Sequence, residues 1–174
     1  MSSTVKPRKP SSIVALTGAI KKCGSSKQWG AALALFRDAS RSCAQVDIIL
    51  HNAVADACVK GGEWQLALRL LFEAQDAALQ LQTISYNSVM NGCEKDGQWQ
   101  LALFLFGELR EANLEPTVIS YGAGMGACGS SGQWQQALWL FSESRQAMVK
   151  ADTISYGVCI SACEKCGKWQ QGLS

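Results

Sequence analysis

Apolar residues recur along this chain at the i, i+3, i+4, i+7 spacing that gathers side chains on one face of a helix, and two such stripes alternate. The first reads Tyr86, Val89, Met90, Cys93 and returns as Leu16, Ala19, Ile20, Cys23, as His51, Val54, Ala55, Cys58, as Tyr121, Gly124, Met125, Cys128 and as Tyr156, Cys159, Ile160, Cys163. The second opens on a tryptophan: Trp29, Ala32, Leu33, Phe36, then Trp64, Ala67, Leu68, Leu71, then Trp99, Ala102, Leu103, Phe106, then Trp134, Ala137, Leu138, Phe141. Each pair of stripes predicts a helical hairpin. Nowhere does the chain sustain the period-two alternation of a strand, and its three prolines, Pro7, Pro10 and Pro116, lie in the leader or at a hairpin boundary.

The hairpins keep one period. Trp29, Trp64, Trp99, Trp134 and Trp169 stand 35 residues apart, each preceded at six residues by a cysteine, Cys23, Cys58, Cys93, Cys128 and Cys163. A fixed period of this length marks repeat units whose core forms only by stacking on neighbours. The expected organisation is a basic flexible leader over residues 1–12 followed by an array over 13–174, with units 13–47, 48–82, 83–117 and 118–152 and a partial unit 153–174. Gly62, Gly97, Gly132 and Gly167 fall two residues before their tryptophans, where a left-handed residue ends a helix at low cost, and Lys27 takes that place in the first unit. The predicted fold is all-α, a right-handed α-solenoid.

Opposite the Tyr86 stripe, Ile84, Asn87 and Asn91 follow i, i+3, i+7 on the other face of the first helix. Stacking turns such places into rows, and the row Val14, Ile49, Ile84, Ile119 and Ile154 is β-branched and apolar in every unit. A row that merely faced water would rarely be so uniform, so this surface is the expected binding face.

Composition sharpens this further. Sixteen basic and fourteen acidic residues give a formal charge of +2, but Lys6, Arg8 and Lys9 lie in the leader, which leaves thirteen basic against fourteen acidic in the array. No global field draws in a polyanion. The single histidine, His51, occupies a place held elsewhere by Tyr or Leu and reads as a packed helix residue. With no phosphate-binding glycine loop, nucleophile elbow or metalloprotease signature, the chain is not expected to be an enzyme or to need a cofactor. Five of the eight cysteines fall at one helical core place, which argues against a disulfide framework and for a reducing compartment. Cys163 and Cys166 form a C-x-x-C with Cys159 nearby, yet no second ligand pair completes a zinc site, so no metal is expected. The leader MSSTVKPRKPSS has no apolar core and is no secretory signal, and no apolar run is long enough to span a membrane. Its serines and basic residues are faintly like an organelle transit peptide. The fifth unit stops at Ser174, soon after Trp169, so the array reads as cut short, a fragment of a longer protein or a fraying last hairpin.

The period and the residues together, above all 83–117, which begins TISYNSVMNG and ends NLEPT, resemble the pentatricopeptide repeat family. The unbroken 35-residue spacing separates it from the 34-residue tetratricopeptide repeat. The tryptophan and its cysteine depart from the family's usual aliphatic and small apolar residues. The resemblance implies single-stranded RNA along the face of the first helices at about one base per repeat, hence about four nucleotides here. Val14, Ile49, Ile84, Ile119 and Ile154 would flank the bases. The reading pairs would be Thr17 with Asp47, Asn52 with Gln82, Asn87 with Thr117, and Gly122 with Asp152. The first matches a family pair associated with guanine, the next two lean towards a pyrimidine, and Gly122, like Gly157 in the partial unit, has no reading side chain. Lys60, Lys95 and Lys165, four residues before their tryptophans, read either as phosphate contacts or as solvated lysines suited to a helix C-terminus. The resemblance also implies work in a chloroplast or mitochondrion, in RNA processing, stabilisation or translation, beside other RNA-processing factors. The alternative is a protein-interaction scaffold holding a peptide or helix on its concave face, with binding insensitive to nuclease.

Overall fold

A computed structural model of the chain describes residues 13–41, 47–149, 156–157 and 160–161. Among them lie eight helices of equal length: α1 (Ile13–Ser25), α2 (Trp29–Arg41), α3 (Ile48–Lys60), α4 (Trp64–Asp76), α5 (Thr83–Lys95), α6 (Trp99–Glu111), α7 (Val118–Ser130) and α8 (Trp134–Gln146). No strand occurs among the described residues.

Local chemistry fixes where each helix starts and stops. Asp47 caps α3, its Oδ1 accepting the Leu50 N–H at 2.9 Å. At α5 and α7 a serine one turn in reaches back instead: Ser85 Oγ accepts the Gln82 N–H at 3.2 Å and Ser120 Oγ accepts the Thr117 N–H at 3.0 Å. The first helices end where the glycine spacing predicts. Gly62, Gly97 and Gly132 have φ of +88°, +65° and +72°, and Lys27 adopts the same left-handed conformation at +56°. Each of these turns closes on the repeat cysteine, whose carbonyl accepts the N–H of Gln28, Glu63, Gln98 or Gln133 at 2.8 to 2.9 Å, the residue just before the tryptophan. The Cys–Trp spacing is thus the length of one closed helix-to-helix turn.

A second left-handed place, at the end of the tryptophan helices, carries no sequence signal: Ala78, Asn113 and Met148 have φ of +53°, +56° and +55°. Leu79, Leu114 and Val149 donate across it to Ala74, Leu109 and Ser144, five residues back. Alanine pays a backbone penalty there that glycine avoids. Ala78→Gly is therefore expected to stabilise the array by about 0.5 to 1 kcal/mol, raising the thermal midpoint by roughly 2 to 4 °C as followed by far-UV circular dichroism.

Stacking follows a two-layer plan. The first helices α1, α3, α5 and α7 stack in line and pack against the tryptophan helices beside them, whereas the backbones of α2, α4, α6 and α8 stand apart from one another, with an Arg110–Glu143 ion pair bridging α6 and α8. The first helices therefore crowd together and the second ones splay apart, which curves the array around the first-helix side. Small residues permit the crowding. A methyl added to Gly24 would sit 3.1 Å from Ala57 Cα, and one on Gly92 would sit 2.8 Å from Trp64 Cβ. The core runs continuously between the layers through Ile20, Val54, Met90, Met125, Leu105 and Leu140, all fully buried.

The stripes fall as their periodicity requires, with one difference in degree. Cys58, Cys93 and Cys128 are fully buried, and burial pushes each thiol up to about 11, so none is a ready nucleophile at neutral pH. Trp64, Trp99 and Trp134 are only half-buried at the edge of the core. They work between units: the Trp29 ring lies against Gly61 of the next hairpin, and Trp64 Nε1–H donates to Asp96. His51 stacks edge-on against Phe36 with ring centroids 4.9 Å apart, the contact that Phe106 makes with Tyr121 and Phe141 with Tyr156. It is a packing residue of the unit interface.

Candidate functional site

On the outer face of the first helices the repeat pattern and the packing demand part company. Val14, Ile49, Ile84 and Ile119 are 82%, 57%, 58% and 60% exposed, one from each of α1, α3, α5 and α7. A β-branched residue held open at the same place in the first helices of four successive hairpins is not explained by folding, because none of the four buries its side chain in the core. Ile154 lies outside the described residues.

Three residues further along each helix stand the fifth-place residues, and they are less open than the sequence suggests. Thr17 is buried, its hydroxyl donating to the Ile13 carbonyl of its own helix at 2.8 Å. Asn87 is 6% exposed, with Nδ2 donating to Thr117 Oγ1 of the next hairpin boundary at 3.4 Å. Its Oδ1 is buried with no hydrogen-bond partner among the described residues, which is costly for an amide oxygen. The structure thus brings Asn87 and Thr117, 30 residues apart, into one pair. Asn52 is half-buried and lines a small open crevice with Ile48, His51, Leu81 and Ser85. Gln82 and Thr117 are exposed. Asp47 is committed to capping α3, which leaves its carboxylate a second oxygen for another contact. Gly122 carries no side chain, and the space a Cβ would take is empty to 4 Å. Asp152 lies outside the described residues.

Two cations on this face have carboxylates near them. Lys60 and Lys95 are exposed at the ends of α3 and α5. Lys60 Nζ forms an ion pair at 2.7 Å with Asp56 Oδ2, one turn earlier on the same face. Beside Lys95, Glu94 is half-buried, and burial raises its carboxyl above the ordinary range while Lys95 partly opposes the rise. Sequence reasoning missed both carboxylates. Asp56 was legible from its i,i+4 spacing to Lys60, whereas Glu94 was not, because its position depends on Gly126 in the next hairpin. A Cβ on Gly126 would come within 2.5 Å of Glu94 Cδ, so the Glu94 side chain lies across that glycine. Lys165 and the Cys163–Cys166 pair fall outside the described residues. Among the described residues no cluster of three His, Cys, Asp or Glu is arranged to hold a metal, and no helix is long and apolar enough to cross a membrane.

An array of 35-residue hairpins with an exposed aliphatic row on its first helices, beside which Asn87 pairs with Thr117, is an α-solenoid of the binding-repeat class. The PPR repeat family matches residues 81–130, and single PPR repeats match 49–77 and 119–147, together more than half of the chain. The chain belongs to the pentatricopeptide repeat family.

Solved structures agree in fold. The pentatricopeptide repeat protein PPR10 from maize superposes with a TM-score of 0.80 at 19% identity over 94% of this chain and 24% of its own. The same protein in complex with an 18-nt psaJ RNA element gives 0.81 at 19% identity over the same shares. The PPR domain of Arabidopsis thaliana protein-only RNase P 1, in complex with tRNA, gives 0.77 at 12% identity over 92% of this chain and 86% of that one. The chain spans about a quarter of the length of PPR10. No sequence among curated proteins matches it significantly.

Proposed function

We propose that the array binds single-stranded RNA along the first-helix face, with sequence bias, and that it serves in organellar RNA processing, stabilisation or translation. The observation that carries this reading is the open aliphatic row Val14, Ile49, Ile84 and Ile119 beside the inter-unit pair of Asn87 with Thr117. Flat bases slot between aliphatic side chains at intervals of one hairpin, and amide and hydroxyl groups of fixed reach meet their edges. Structural relatives seen with RNA support the same use of the fold. In this reading Asn52 with Gln82 and Asn87 with Thr117 face bases, Thr17 with Asp47 reads a third, and the unit holding Gly122 accepts any base. About four nucleotides fill the array. The proposed units are those of the sequence, 13–47, 48–82, 83–117, 118–152 and the partial 153–174, and other RNA-processing factors act beside it.

The near balance of charge favours a second reading, a scaffold that holds an extended peptide on the same row. Selection of bound oligonucleotides from a randomised RNA pool separates them. RNA binding predicts enrichment with a preference at the Asn87 position that changes in Asn87→Asp, with helicity unaltered. A pool that emerges unenriched, together with a nuclease-resistant protein partner, would establish the scaffold.

A further inference from the structure

The ninth place of each first helix lies on the same face as the exposed aliphatic residue, seven residues on, or about two helical turns. It holds Lys21, Asp56, Asn91 and Gly126 in successive units. The thirteenth place, one further turn along, holds Ser25, Lys60, Lys95 and Ser130. The two lysines of the second and third units are therefore the cations of that row among the described units, and each has a carboxylate beside it. Asp56 Oδ2 meets Lys60 Nζ at 2.7 Å, with both side chains nearly half exposed. Glu94, adjacent to Lys95 in sequence, reaches over Gly126 into the ninth place of the following unit. The groove floor there is thus acidic although the residue that builds it is a glycine.

We infer that Asp56 and Glu94 are counter-charges that cancel Lys60 and Lys95 on the binding face, so that the array holds RNA through its bases and only weakly through its backbone. The inference rests on the RNA reading above. A phosphate approaching Lys60 also approaches the Asp56 carboxylate 2.7 Å from its ammonium, and one approaching Lys95 meets the field of the Glu94 carboxylate from the same helix end, so at each place the two fields oppose within the screening length of about 8 Å at physiological salt. Removing a carboxylate leaves an uncompensated ammonium at each place and restores counterion release on binding. This explains how an open aliphatic row coexists with an array that has no net positive charge. Little of its affinity would come from non-specific attraction, and base identity would weigh more in the remainder.

The test uses the isosteric variants Asp56→Asn and Glu94→Gln, singly and together, in the full chain. Binding to short random-sequence single-stranded RNA is followed by fluorescence anisotropy over a salt series. Each substitution is expected to tighten binding about three- to fivefold at low salt, and the double variant about tenfold or more. The slope of log affinity against log salt should steepen by about 0.7 for each carboxylate removed. Lys60→Gln leaves Asp56 uncompensated, so it should weaken binding severalfold in the parent and by a similar factor in the Asp56→Asn background, returning that variant to about the parent's affinity, an opposition of signs that a merely structural ion pair would not produce. Affinities and slopes equal to the parent's, with the parent binding RNA, would overturn the inference and leave the RNA reading standing. Silence from the parent and every variant would overturn both, and binding gained only by the neutralised variants would support both. Circular dichroism of each variant confirms that helicity is retained.

Discussion

Replacing Ile49, Ile84 and Ile119 together by serine is expected to weaken binding of single-stranded RNA about a hundredfold while leaving the thermal midpoint almost unmoved. The three side chains are 57%, 58% and 60% exposed, so the fold recovers little energy from them. Isoleucine and serine differ little in helix propensity, so α3, α5 and α7 lose nothing of consequence. On the RNA side each isoleucine would cover part of two base faces. Covering that apolar surface is worth roughly 1 kcal/mol per residue, or about fivefold, and the sites are separate enough to add. Titration of a short RNA against parent and triple variant, with a thermal melt of each, measures both halves. Unchanged affinity would remove the aliphatic row from the binding face. A midpoint that fell by many degrees would mean that the row serves stability, against its exposure.

Leu105→Ala should act in the opposite sense, on stability first. Leu105 is fully buried on α6, a helix that packs against both α5 and α7. Truncation removes its transfer energy and leaves a cavity, together costing about 2 to 5 kcal/mol. A solenoid is held by nearest-neighbour contacts, so the loss should stay local. Unfolding by urea, followed by circular dichroism, is expected to split into two transitions, with α1 to α4 outlasting the hairpins that follow. A single transition at unchanged midpoint would show that α6 contributes no more than its neighbours can replace. Leu140→Ala on α8 provides the comparison, since it is equally buried but among α1 to α8 the α8 backbone packs closely only on α7.

The sequence disclosed the repeat because periodicity is a one-dimensional property. The 35-residue spacing of Trp and Cys, the alternating stripes and the turn glycines each report a local backbone geometry that the same residues repeat. Lys27 fits that frame as the residue that takes the glycine conformation at the end of the first unit's first helix. The left-handed ends at Ala78, Asn113 and Met148 were invisible, because three unrelated residue types occupy a conformation imposed by the closing hydrogen bonds around them. Tryptophan was legible as apolar but not as a rim residue. Its half-exposed position follows from Gly61 in the next hairpin and from the Asp96 carboxylate, which sequence spacing does not connect to it.

The binding face divides along the same line. Which residues share the outer face of a first helix follows from 100° per residue, and so the row through Ile49, Ile84 and Ile119 is determined by the sequence itself. Whether a fifth-place side chain stands free or turns inward is set by the next unit: Asn87 turns towards Thr117, while Thr17 bonds back to its own helix. The charge at each place is likewise a tertiary fact where Glu94 crosses Gly126. Helical periodicity and turn chemistry act within about one turn of chain, so a sequence determines them alone. The pairing of side chains between hairpins depends on how closely two backbones approach, and only stacking fixes that distance.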